Sequence, residues 1–257
     1  MKKITFFIAS FRKHSTFEMV KKFEKNLKRY EDFEFDYVFL KDYKIDFCRG
    51  CKLCFDKGEE MCPIQDDRDI LIQKIEESDG VVFATPNYAF QNAAILKAMI
   101  DRIAFMLHRP RYFEKTFTAI VTQGVFGGED IVKYLCNTIG KNLGFKVSKG
   151  CVIESLEPKT ENQEKEASSR IKKAADRFYK TLVNENIASP NLFRLMIFRI
   201  SRSNIKNMLD EEYMDFRFYK EAGWFNSDYY YPVELNFLKK ASGKFFDLIG
   251  FLMAKHR

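Results

Sequence analysis

Apolar residues recur along the first 185 positions in two alternating rhythms. Short unbroken runs rich in β-branched and aromatic residues (KITFFIA at 3–9, FDYVFL at 35–40, GVVFA at 80–84, TFTAIVT at 116–122, and residues 146–153) have the character of strands buried on both faces. Between them, residues 17–30, 66–78, 92–107, 129–143 and 163–182 place apolar side chains at helical spacing. Pro86 stops the third strand, Asp66 and Asp67 read as cap and first-turn residues, and Gly144 closes the fourth helix. Five β/α units in strict alternation predict an α/β fold, a doubly wound parallel sheet covered by helices.

The alternation stops near Ser189-Pro190, so the pattern divides the chain into a domain over 1–188 and a helical, aromatic-rich extension over 189–257. Residues 235–253 are apolar around more than half the helix circumference and call for cover, from the first domain or from another subunit. The segment KEAGWFNSDYYYP (220–232) holds the single tryptophan, Trp224, which would close over a ligand, shape a pocket in a dimer, or pack the C-terminal helices. Packing is the reading favoured by its type.

In doubly wound sheets ligands bind beyond the carboxyl ends of the strands. Three loops there carry candidate chemistry. After strand one, ASFRKHSTF (9–17) brings Ser10, Arg12, His14, Ser15 and Thr16 to a helix start, where amides, hydroxyls and positive charge suit a phosphate; ordinary capping by Ser15 or Thr16 is the alternative. After strand three, Pro86, Asn87, Tyr88 and Phe90 form a tip able to border a planar ring, or simply to pack on itself. After strand four, Gln123 and Gly124 open the glycine-rich run QGVFGG, which permits close backbone approach or a left-handed turn. Together the three loops form one constellation on one sheet edge.

Composition narrows the function classes. With 46% hydrophobic and 31% charged residues the chain is globular, and 16% aromatics, 27 of them Phe, suit a large core or flat ligand surfaces. The net charge of +7 arises from lysines interleaved with acids on helices, a solvated face, so we expect no nucleic-acid partner. The apolar run after Lys2 and Lys3 is too short for a signal peptide, and no stretch approaches a membrane span, so we expect a cytoplasmic protein with no membrane partner. The three histidines, His14, His108 and His256, are scattered, and no general acid–base pair or nucleophile stands out.

Four cysteines, Cys48, Cys51, Cys54 and Cys62, follow strand two with spacing C-x2-C-x2-C-x7-C and a proline next. In a reducing compartment such a cluster points to metal or redox chemistry rather than disulfides. A 4Fe–4S cluster, four-thiolate zinc, and thiols without metal all remain open. Cys136 and Cys151 fall within a predicted helix and strand and read as core.

Several of these motifs resemble one family, the flavodoxin-like NAD(P)H-dependent FMN reductases, in particular their iron–sulfur flavoprotein branch. ASFRKHST stands where that family has GSPRKxxNT, TPNY stands for SPxY, LKAMIDR for LKAxxDR, and CRGCKLCFDKGEEMCPIQDD for its cysteine segment ending in DD. The resemblance covers about residues 1–185 and implies a five-stranded sheet of order 2-1-3-4-5. It implies FMN phosphate and ribityl contacts at Ser10, Arg12, His14, Ser15 and Thr16, and isoalloxazine contacts at Pro86, Asn87, Tyr88, Phe90, Gln123 and Gly124. Ala9 and Phe11 replace the usual Gly and Pro, and the final cysteine gap is longer than usual, with Gly58 inside it. The implied function is hydride transfer from NADH or NADPH through FMN to a small acceptor or redox partner, with a possible 4Fe–4S cluster on Cys48, Cys51, Cys54 and Cys62. The alternative is a non-enzymatic electron carrier or redox sensor with the same cofactors. A homodimer or homotetramer is expected from the resemblance alone.

Overall fold

The structure is a computed structural model and describes residues 1–186 and 188–256. The chain divides into two compact units, residues 1–49 with 64–185 and residues 50–63 with 186–257.

The first unit is built on a parallel sheet. Strands β1 (Lys2–Ile8), β2 (Phe33–Phe39) and β3 (Gly80–Tyr88) are followed by the two-residue β4 (Gln91–Asn92), which folds back antiparallel on β3 as a hairpin. Then come β5 (Thr116–Gln123), β6 (Lys146–Val147) and β7 (Cys151–Glu154). The order is β2-β1-β3-β5-β6, with β7 also paired to β5, so β6 and β7 together occupy the fifth position of a 2-1-3-4-5 sheet. The continuous fifth strand expected over 146–153 is therefore broken. Val147 pairs with Phe117 and Cys151 with Ile120, so three residues on one strand span two on the other. That extra residue is a β-bulge.

Helices α1 (Ser15–Leu27), α3 (Arg68–Glu76), α4 (Ala94–Arg102), α5 (Gly128–Lys133) and α6 (Glu161–Leu182) are the crossovers; the one-turn α2 (Leu53–Asp56) belongs to the second unit. The expected helix over 92–107 instead starts at Ala94, because Asn92 is spent in the hairpin, and ends in a tight turn at Ala104–Leu107. The helix expected over 129–143 is α5 continued by a π-helical stretch, Tyr134–Gly140, and Gly144 beyond it adopts the expected positive φ of 102°. On one sheet face Phe6 and Ile8 pack against Val20 and Phe23 of α1 and Phe178 of α6, all fully buried. Each such side chain contributes about 1.5–3 kcal/mol.

Asp67, the cap residue of α3, makes no side-chain bond to the first turn, while Asp66 accepts the Arg68 amide at 3.4 Å. Asp67 accepts the Lys44 amide at 2.7 Å, and Asp66 accepts the Asp46 amide at 3.0 Å. Asp66 also takes both Nε and Nη2 of Arg102 at 2.8 Å, an ion pair whose two side chains are almost wholly buried. Burial alone would push this carboxyl up, but Arg102 and two amides outweigh it and hold Asp66 below the usual carboxylate range. The DD pair thus ties down both ends of the segment that carries the cysteines. LKAMIDR supplies the arginine.

The second unit holds α2 with α7 (Leu192–Met208), α8 (Met214–Glu221) and α9 (Phe237–Lys255). Asn191 and Asn236 cap α7 and α9 by accepting the amides of Arg194 and Lys239, each at 2.9 Å. Trp224 is buried, not a lid: its ring lies edge-on to Phe198, Tyr219 and Tyr230, and its Nε1–H donates to the Tyr230 carbonyl at 3.0 Å. Asp247 on α9 binds Arg199 and Arg202 of α7. Arg217 of α8 donates to the Lys57 carbonyl at 3.0 Å, fastening the end of α2 to α8. Among the described residues no helix is long and apolar enough to cross a membrane.

Candidate active site

The carboxyl ends of β1, β3 and β5 open into a cleft of about 530 Å³ in the first unit. It is lined by Ser10, Arg12, His14, Ser15 and Thr16 on one side, by Pro86, Asn87 and Tyr88 on another, and by Gln123 and Gly124 on a third. The three loops singled out in the sequence therefore meet in one place. Phe90 is not among the residues that line the cleft; it sits in the hairpin turn against Phe126, with ring centroids 5.2 Å apart. Thr122, Ser155 and Glu157 line it as well and escaped the sequence reading. The signal for the last two was available: they follow the fifth strand, whose carboxyl end shares the ligand edge.

Helix α1 points its N-terminus at this cleft. Its cap residue, His14, makes no side-chain bond to the first turn, so no side chain at that position satisfies the opening amides. Amide donors, the positive end of the helix dipole and the exposed Arg12 converge there, the elements of an anion seat. Thr16 is buried and shares a hydrogen bond of 2.7 Å with Thr122 Oγ1, which ties the helix start to the end of β5. Ser10 Oγ donates to the Arg12 carbonyl at 3.1 Å, shaping the turn. Neither Ser15 nor Thr16 caps the helix, which removes the alternative reading of those hydroxyls.

The opposite wall is held by amide side chains. Gln123 Oε1 accepts the Gly128 amide at 2.7 Å and its Nε2 donates to the Val125 carbonyl at 3.1 Å, so this glutamine braces the glycine loop. Gly128 has no room for a side chain: a Cβ would stand 2.6 Å from Gln123 Oε1 and 2.7 Å from Val152 Cγ1. Asn87 Nδ2 donates to the Phe126 carbonyl at 2.9 Å, joining the hairpin to the same loop. Its Oδ1 is buried without a hydrogen-bond partner in the protein, an acceptor on a cleft-lining residue that a ligand N–H would satisfy. Tyr88 stands exposed at the mouth.

None of the six cysteines is joined in a disulfide. Cys48 and Cys51 are exposed and Cys54 and Cys62 half-buried. Among the described residues no three Cys, His, Asp or Glu side chains converge as a metal-binding group. The donor chemistry suits a cluster, but the thiols are not gathered as ligands in this arrangement. Cys136 and Cys151 are core residues, as expected; burial pushes their thiols up to about 11 and about 12.

An open parallel sheet of order 2-1-3-4-5, with a cleft at the switch in strand order, defines a flavodoxin-like fold. Residues 2–156 match the family of NADPH-dependent FMN reductases, and the chain belongs to that family, in its iron–sulfur flavoprotein branch. It is an oxidoreductase of the FMN- and NAD(P)H-dependent kind. An iron–sulfur flavoprotein of Archaeoglobus fulgidus is 30% identical over 198 residues, covering 75% of this chain and 86% of that one. Another, from Methanosarcina thermophila, is 32% identical over 110 residues, 43% of this chain and 56% of its own. Among solved structures, RosB with a bound formylated riboflavin phosphate intermediate superposes with a TM-score of 0.54 over 92% of each chain at 14% identity, a likeness of fold.

Proposed function

We propose that the cleft binds FMN and that the protein moves electrons from NADH or NADPH through it to a small acceptor or a protein redox partner. The observation that carries this reading is the meeting of the α1 N-terminus, the Pro86-Asn87-Tyr88 tip and the Gln123-Gly124 turn around one cleft. Arg12, Ser15 and the first-turn amides would hold the phosphate, and Ser10, His14 and Thr16 would line its approach. Asn87 would offer its unpartnered Oδ1 to a ring N–H, while Gln123 keeps the glycine loop at the distance a ring needs. Bound flavin supplies the redox chemistry, accepting a hydride as an electron pair and passing electrons on singly or in pairs. Tyr88 at the mouth and Glu157 on the far rim are placed to border the incoming partner.

FMN titration into the flavin-free protein, followed by quenching of flavin fluorescence, tests the reading. Arg12→Ala and Asn87→Ala should each weaken binding about tenfold, the loss of one charge-assisted or buried hydrogen bond. Wild-type protein that quenches no FMN fluorescence sinks it. Steady NAD(P)H oxidation with an added acceptor separates the enzyme from a carrier reduced only by ferredoxin.

We propose further that Cys48, Cys51, Cys54 and Cys62 hold a 4Fe–4S cluster once the segment 48–62 gathers them. Support comes from the spacing, from the absence of a disulfide at any of the four, and from relatives named iron–sulfur flavoproteins. Iron and acid-labile sulfide assays on protein purified without oxygen decide it: four of each per chain are expected, and zinc or no metal refutes it. A homodimer or homotetramer in a cytoplasmic setting completes the reading.

A further inference from the structure

Helix α9 has two unlike sides. One is committed to α7. At Gly250 an added Cβ would stand 2.7 Å from Ser203 Cβ and 2.8 Å from the Ile200 carbonyl, and Asp247 is held by Arg199 and Arg202. Those pairings advance together along both helices, so α7 and α9 run parallel in close contact.

The other side faces solvent and is apolar. Leu238, Ala241, Phe245, Leu248 and Leu252 are all exposed and recur at intervals of three, four, three and four, the spacing of a seam between two helices. Gly243 and Gly250 lie opposite this seam, so α7 leaves it untouched. At the head of the pair Phe237 is 83% exposed and Phe193 of α7 63%. With roughly 150–250 Å² per aromatic side chain, these residues and their neighbours place on the order of 800 Å² of apolar surface here. That exceeds the few hundred Å² an ordinary monomer exposes and equals about one partner's share of a standard interface.

We propose that this seam pairs α9 with α9 of a second copy of the chain, in parallel, about a two-fold axis. The same stripe on both copies is self-complementary, as a two-fold contact requires. The lysines select the direction. Lys244 borders one edge of the seam, whereas Ile249 borders the other. In parallel pairing the residue at Lys244 faces the partner position five residues on, which Ile249 occupies; in antiparallel pairing Lys244 would face its own copy. A lipid surface is the poorer fit. An interfacial helix keeps a strongly charged face opposite its apolar one, but here the opposite side is glycine and salt-bridged aspartate packed on α7. The inference stands independently of the proposed flavin chemistry.

The test is the mass of the full chain in solution by light scattering, for wild type and for Phe245→Asp with Leu248→Asp. Both side chains point outward, so circular dichroism and Trp224 fluorescence should remain those of wild type. The double variant should halve the mass of the wild-type assembly. In the otherwise wild-type chain, Ala241→Cys treated with a mild oxidant such as copper phenanthroline should give an interchain disulfide between the two new cysteines, identified by peptide mass. An unchanged mass, or a monomeric wild type, overturns the proposal. Wild type that is monomeric yet sediments with phosphatidylcholine–phosphatidylglycerol vesicles overturns it in favour of lipid, and Ala241 cysteines that never join overturn the parallel alignment.

Discussion

Removing the Asp66 carboxylate should destabilise the first unit by about 3–5 kcal/mol, the cost of breaking a buried, doubly hydrogen-bonded ion pair from one side. The size follows from the geometry. Asp66 takes two bonds from Arg102 at 2.8 Å, and both side chains are almost wholly removed from water. In Asp66→Ala the guanidinium keeps its charge and loses both bonds to this carboxylate. Urea denaturation followed by far-UV circular dichroism reads the loss as a fall in midpoint. The double variant Asp66→Ala with Arg102→Met removes both charges and should cost clearly less than the two single changes added together. Acid adds a second signature. Asp66 is held below its ordinary value, so its contribution is complete above about pH 4 and disappears as pH falls through the folded value. Wild-type stability should therefore decline on the acid side more steeply than that of Asp66→Ala. The reasoning fails if Asp66→Ala costs under about 1 kcal/mol, or if the single costs simply add.

Three further outcomes are expected. Gly128→Ala forces its new methyl onto Gln123 and Val152, so FMN affinity should fall at least tenfold, while an unchanged titration would clear the glycine loop of any role. In metal-free native protein near pH 8, a thiol reagent should label Cys48 and Cys51 first, then Cys54 and Cys62. Cys136 and Cys151, pushed up to about 11 and about 12, should label only after denaturation; rapid labelling of all six would contradict their burial. The lone tryptophan lies in the second unit, so its emission should report that unit; Trp224→Phe should abolish the signal and leave the FMN titration untouched.

The alternation of apolar runs was enough to place the five strand positions, because strands buried on both faces leave no choice of period. It could not reveal the bulge between β6 and β7, which depends on how residues 148–150 meet Thr118 and Ala119 across the sheet. Asp66 and Asp67 look like caps in one dimension, yet the Arg102 that claims Asp66 is 36 residues away. The cleft was legible for a related reason: its loops follow strands whose carboxyl ends share one edge. Gln123 was read as a ligand contact; it lines the cleft, and both ends of its amide also brace the loop, which the sequence could not show. Phe90 takes a left-handed backbone, φ 62°, in the hairpin turn and packs its ring against Phe126, a placement the sequence did not signal. The gathering of four thiols is a matter of loop conformation, on which spacing alone is silent.

The second unit is discontinuous: residues 50–63 belong to it although they lie between two stretches of the first. A chain ended at residue 188 would look like a tidy domain by sequence, yet it would strand that segment. Lys57 would lose the guanidinium of Arg217, and α2 would lose α8. Residues of α8 thus act on a loop more than a hundred positions upstream, and a change there can be felt at the thiols without altering a single cysteine.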